Sequence, residues 1–159
     1  MRILVAFISF TTIVVSGCHS TTPHTQQSNL FTHFSLDRII EKMPNSGIEL
    51  PASIPSGGSG GVAGEGEISS YRKDSTLNCQ IPTEEVGFDE SSFMRKLKAE
   101  VENEITSNGA KITGSGESDS DFYVDYRLGS INGLIDVIGM RGERNTYKLT
   151  YVMREISWK

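Results

Sequence analysis

Two stretches near the end of the chain alternate apolar and polar residues with a period of two, the signature of half-buried β-strands. In "FYVDYRL", Phe122, Val124, Tyr126 and Leu128 share one side, while Tyr123, Asp125 and Arg127 share the other. In "TYKLTYVMREISW", Tyr147, Leu149, Tyr151 and Met153 share a side. Between them, "INGLIDVIGM" is apolar on both sides, with Ile131, Ile135 and Val137 on one and Leu134, Ile138 and Met140 on the other. Strands this close in sequence, joined by short turns such as "RGERN", form antiparallel neighbours. A central strand with two apolar faces asks for cover on both sides of its sheet.

One long helix precedes these strands. In "GFDESSFMRKLKAEVENEITSNG", Phe93, Leu97, Val101 and Ile105 recur every four residues, and Met94 widens the stripe. Asp89 is placed to cap the start, Phe88 to staple it, and Asn108-Gly109 to end it in a left-handed turn. The pattern predicts a helix over about 90–107. Ahead of it, "EISSYRKDSTLNCQIP" reads as one long strand or two, with Leu77, Cys79 and Ile81 on one face. After it, "AKIT" begins a short strand and "GSGESDSD" reads as a loop. The order over 68–159 is β-α-β-β-β. That order predicts an α+β fold, a two-layer sandwich with one main helix on a largely antiparallel sheet.

A second, shorter amphipathic helix lies upstream. "SLDRIIEKMP" sets Leu36, Ile39, Ile40 and Met43 on one helical face, with Ser35 as N-cap, Asp37 in the first turn and Pro44 as the stop. So short a helix does not hold in water unaided, so its stripe needs a surface: its own domain, a partner, or a membrane interface. The unmatched face of Leu134, Ile138 and Met140 is the available surface within the chain, and we expect the helix to swing back over it. Residues 44–67 read as a Gly/Ser/Pro linker, since four of the five prolines lie between Pro44 and Pro82 and glycines crowd 57–66. Gly57, Gly58, Gly60, Gly61, Gly64 and Gly66 lack the Lys-Ser/Thr pair of a phosphate cradle.

The chain starts with a cation, Arg2, then the 13-residue apolar run Ile3 to Val15, then Val15-Ser16-Gly17-Cys18. A membrane-spanning helix needs about 20 apolar residues, so the run is short for a span and right for a secretory signal. The tetrapeptide resembles the lipobox of bacterial lipoprotein precursors. The resemblance implies that residues 1–17 are a signal peptide and that the Cys18 thiol is lipidated and becomes the first mature residue. A lipid there anchors the chain to a membrane. Within the same family, an aspartate after the cysteine retains the protein at the inner membrane. His19 stands there, which implies the outer membrane, facing the periplasm. Residues 18–34, polar and without periodicity, then read as a tether, 35–67 as the short helix with its linker, and 68–159 as the domain.

With residues 1–17 removed, 14 Lys and Arg face 20 Asp and Glu, a formal charge of −6. Such an acidic chain, without a basic run, is not suited to nucleic acid. With Cys18 lipidated, Cys79 has no partner within the chain, so it is either a core-facing thiol or a disulfide to another chain. All three histidines, His19, His24 and His33, precede the domain, which removes Ser-His-Asp and Cys-His catalysis and histidine-based zinc sites there. Glu117, Asp119, Asp121 and Asp125 start like a calcium loop, but Phe122 replaces the turn glycine and Leu128 the closing glutamate. We therefore expect no enzyme, metal or cofactor. The element order is similar to that of small α/β lipoproteins of envelope assembly, without a motif that carries over any residue. The expected function is a non-enzymatic binding or assembly module of the envelope. Its candidate partner surface is Leu36, Ile39, Ile40, Met43, Leu134, Ile138 and Met140. The alternative is a periplasmic ligand- or inhibitor-binding lipoprotein that uses the acidic 114–121 loop.

Overall fold

The computed structural model describes residue 30 and residues 33–52, 59–63, 68–81 and 87–158, with the backbone alone at 59–63, 68, 69 and 158. The expected signal peptide, Cys18 and most of the expected tether lie outside the described residues. The elements are α1 (Leu36–Lys42), β1 (Ser59–Ala63), β2 (Ile68–Gln80), α2 (Glu90–Ser107), β3 (Lys111–Glu117), β4 (Asp121–Leu128), β5 (Ile131–Arg141) and β6 (Thr146–Trp158). The strands form one sheet in the order β1-β2-β6-β5-β4-β3, with every neighbouring pair antiparallel. The fold is α+β, two helices packed on one antiparallel sheet, with four strands after α2 where the expected order β-α-β-β-β counted three.

The main helix forms where its periodicity placed it. The Asp89 carboxylate accepts the Ser92 backbone N–H at 3.0 Å, and Gly109 closes the end at φ +82. Phe93, Met94, Leu97, Val101 and Ile105 are buried against the sheet. At its N-terminal end, Phe88, Phe93 and Tyr147 meet edge to face or tilted at 5.0–5.7 Å.

The short helix takes a different place from the one expected. Leu36, Ile39, Ile40 and Met43 join the same buried cluster as the α2 stripe, and α1 packs against α2. It lies on the α2 side of the sheet and leaves Leu134, Ile138 and Met140 uncovered. The reason is width. Six strands at about 4.8 Å span more than 20 Å, whereas one helix covers about 10 Å. α2 sits over β3 and β4, so the β2/β6 half of that face needs a second cover. The segment leading into α1 supplies it: Phe34 stands edge-on to Tyr151 of β6 at 5.9 Å, and Lys73 of β2 donates to the Phe34 carbonyl at 3.1 Å. Ser35 stands at the N-cap position, but its hydroxyl bonds the Asp37 carboxylate instead of the helix backbone.

Two other expectations change. The Gly/Ser linker contains β1, which pairs along β2 from Ser59↔Lys73 to Ala63↔Ser69. Backbone pairing uses no side chain, so composition did not show it. A bridge between Glu49 and Gln80 ties the preceding segment to the end of β2. The expected loop over 114–121 is largely strand, because β3 runs to Glu117 and a turn of three residues leads to Asp121. Its glycines accommodate neighbours. After a register shift between Ile112 and Gly114, the Tyr123 ring lies across Gly116, where a Cβ would stand 2.5 Å from the ring.

Cys79 is fully buried among the core residues, and burial pushes its thiol up to about 11. It acts as a small apolar filler, and the interchain disulfide does not fit this position. In the native protein Cys79 is expected to resist a thiol reagent at pH 8, reacting at least a hundredfold faster once unfolded. Equal rates would contradict the burial.

Two core tyrosines set a further expectation. Burial, with hydrogen bonds to Glu155 and Glu90, holds the Tyr126 and Tyr147 hydroxyls well above their ordinary value of 10. Above pH 10 the unfolded chain ionises both while the folded chain keeps both protons, so the unfolded state binds fewer protons and stability falls as pH rises. The loss is about 1.4 kcal/mol per pH unit for each tyrosine. Denaturation monitored by circular dichroism should show this slope between pH 10 and 12, and a flat profile would count against both placements.

Candidate functional site

Two faces of the sheet follow from its register. The inner face, under the helices, carries Phe122, Val124, Ile135, Val137, Tyr147, Leu149, Tyr151 and Met153, all buried. The opposite face has no helix on it among the described residues. Its rows run across four strands: Asp121, Ile138, Thr150 and Thr76; then Tyr123, Asp136, Val152 and Asp74; then Asp125, Leu134, Arg154 and Arg72. Met140 pairs with Lys148 at one end and Ile156 with Asn132 at the other.

This outer face exposes large apolar side chains. Tyr123 is 45 %, Ile138 47 %, Met140 61 % and Ile156 42 % exposed, while Leu134 and Val152 between them are half-buried. Of the sequence candidates, the structure brings Leu134, Ile138 and Met140 together here and takes Leu36, Ile39, Ile40 and Met43 into the core. The candidate surface is thus split, with its helical half spent on the domain's own packing. Tyr123, Val152 and Ile156 were not singled out from sequence. The signal was present, since they are the outward positions of strands whose inward set was already read.

Charge on the outer face is divided. On β2 and β6 stand Arg72, Asp74, Lys148 and Arg154; on β4 and β5 stand Asp121, Asp125, Arg127 and Asp136. Arg72 and Asp74 pair at 2.8 Å, which leaves the cationic excess of their half to Lys148 and Arg154.

The acidic cluster does not converge. Glu117 turns inward, where its carboxylate takes Lys98 of α2 at 3.1 Å and lies 3.8 Å from Arg95. That hydrogen bond holds the Lys98 ammonium above its usual value. Asp121 and Asp125 belong to the outer face of β4, and Asp119 lies in the turn. Among the described residues, no three His, Cys, Asp or Glu side chains come together to hold a metal ion. A hollow of about 170 Å³ lined by Ser91, Arg95, Glu117, Ser118 and Asp119 is therefore occupied at its acidic wall by an ion pair.

A buried polar pair also escaped sequence reading. Glu155 is only 1 % exposed on the inner face, and the Tyr126 hydroxyl donates to its carboxylate at 2.7 Å. Continuing the alternation of β6 past Met153 by one step would have placed Glu155 inward. The Tyr126 ring reaches it by crossing Gly133, where β5 has no side chain to obstruct it.

Comparison with protein-family models, with curated proteins and with solved structures finds no match to this chain.

Proposed function

We propose that this chain is a lipid-anchored, non-enzymatic module of the bacterial cell envelope that docks a protein partner through the outer face of its sheet. The observation that carries this reading is the uncovered face itself. Tyr123, Ile138, Met140 and Ile156 stand exposed on one side of a sheet whose other side buries most of its apolar residues under the helices, with Tyr71 near its β2 edge left partly exposed. Contiguous apolar surface of this kind marks docking sites on soluble domains. The lipobox-like Val15-Ser16-Gly17-Cys18 supports the anchor on Cys18, and His19 supports the outer membrane, facing the periplasm. The tie between Glu117 and α2 weighs against ligand capture by the acidic segment.

The test has two parts. Labelled palmitate should enter the full chain and be lost in Cys18→Ala. A photo-crosslinking residue at Ile138 should join the protein to one envelope protein in cells, whereas one at Lys96, on the wet side of α2, should not. Crosslinks of equal yield at both positions, or at neither, would reject the docking face.

A further inference from the structure

The division of charge on the outer face identifies its occupant, an inference that rests on reading this face as a docking surface. We propose that the partner is a second copy of the same chain, packed sheet to sheet about a two-fold axis parallel to the strands. The β2/β6 half carries Arg72, Lys148 and Arg154 against Asp74, and the β4/β5 half carries Asp121, Asp125 and Asp136 against Arg127. Over these four strands the two halves are therefore of opposite sign, +2 and −2, with Lys111 beside Arg127 on the edge strand β3 outside this area. The apolar residues lie between and among them, with Leu134 and Ile138 on β5 beside Val152 and Ile156 on β6.

A face with this pattern is complementary to itself under one symmetry operation. In a symmetric dimer the same patch meets its own copy. With the axis along the strands, the cationic half of one copy lies over the anionic half of the other, twice. With the axis across the strands, each half would lie over its like, and the repulsion would oppose association. Charge thus selects the axis, and the selected axis stacks the two sheets with nearly aligned strands, the usual geometry of a sandwich. The size suits the role. Four strands at about 4.8 Å spacing and about eight residues at 3.3 Å each cover roughly 500 Å² per copy. With side-chain relief this comes to about 1,000–1,400 Å² in total, at the lower end of specific interfaces. Dimerisation of this kind would cover both apolar faces of β5, the inner by helices and the outer by the other copy.

The test is a charge-reversal exchange between two full-length copies bearing different tags, expressed together and purified through one tag in mild detergent. Wild-type copies are expected to co-purify. Lys148→Glu/Arg154→Glu turns its half from +2 to −2, and Asp121→Lys/Asp125→Arg turns the other from −2 to +2. Each double variant, paired with itself, should retain at least tenfold less of the second copy. The two variants paired with each other should restore it, because each then meets a face of opposite sign. Restoration also shows that both variants fold. Retention unchanged in the self-pairs would overturn the proposal, as would failure of the mixed pair to recover. If wild-type copies do not co-purify while Ile138 still crosslinks to a different envelope protein, the dimer is overturned and the docking face stands. If Ile138 crosslinks to nothing, both fall.

Discussion

Leu36→Asp is expected to lower the midpoint of thermal unfolding by about 10–20 °C. Leu36 is fully buried in the cluster that α1 shares with α2 and the sheet. Truncating a buried leucine costs about 2–5 kcal/mol from lost transfer and the cavity left behind. Aspartate adds a carboxylate that must be desolvated in an apolar site or hold a proton at neutral pH. Short as it is, α1 has little helical stability of its own, so the substitution undocks it and opens the β2/β6 half of the core. The control is Lys96→Asp on the wet side of α2, expected to shift the midpoint by no more than a few degrees. If Leu36→Asp melts like the parent, α1 does not belong to this core. If the two variants lose equally, the assignment of faces is wrong.

Gly133→Ala is expected to cost about 3 kcal/mol, read by chemical denaturation. A Cβ at this position would stand 2.0 Å from the Tyr126 ring. That ring cannot swing aside at low cost, because its hydroxyl is bonded to buried Glu155 at 2.7 Å and its edges are packed in the core. Tyr126→Leu should be destabilising alone, since it removes the hydroxyl that serves the Glu155 carboxylate. The double variant should be less destabilised than the sum of the two by about 1–3 kcal/mol, because without the ring the methyl group has room. Strict additivity would mean that the ring does not lie across Gly133.

The elements that sequence reading placed correctly are those whose signal repeats along their own length. The 90–107 helix, the last three strands and the strand carrying Leu77 and Cys79 were all legible, since period four and period two each bury one face. Asp89 as cap and Gly109 as terminator were legible because their roles are local. What escaped was decided between segments. β1 forms from a glycine-rich stretch because β2 offers it a row of backbone partners, information that composition does not hold. β3 runs through "GSGE" with the Tyr123 ring of the next strand in the space that Gly116 leaves free and Asp125 against Gly114.

The candidate site divides along the same line. The apolar set Leu134, Ile138 and Met140 was readable as a second face of β5, but which side α1 would choose was not. An amphipathic helix of seven residues states only that it needs an apolar surface. Two such surfaces existed, and the width of the inner face beside α2 decided between them. The chain by itself therefore determined which residues alternate, which stripe is apolar and where helices start and stop, because these are properties of neighbours in sequence. The tertiary structure alone decided that both helices share one face, that inward Glu155 meets the Tyr126 hydroxyl, and that the outer face carries opposite charges on its two halves. Each of these depends on which strands lie side by side, and strand order is set by packing across the whole sheet.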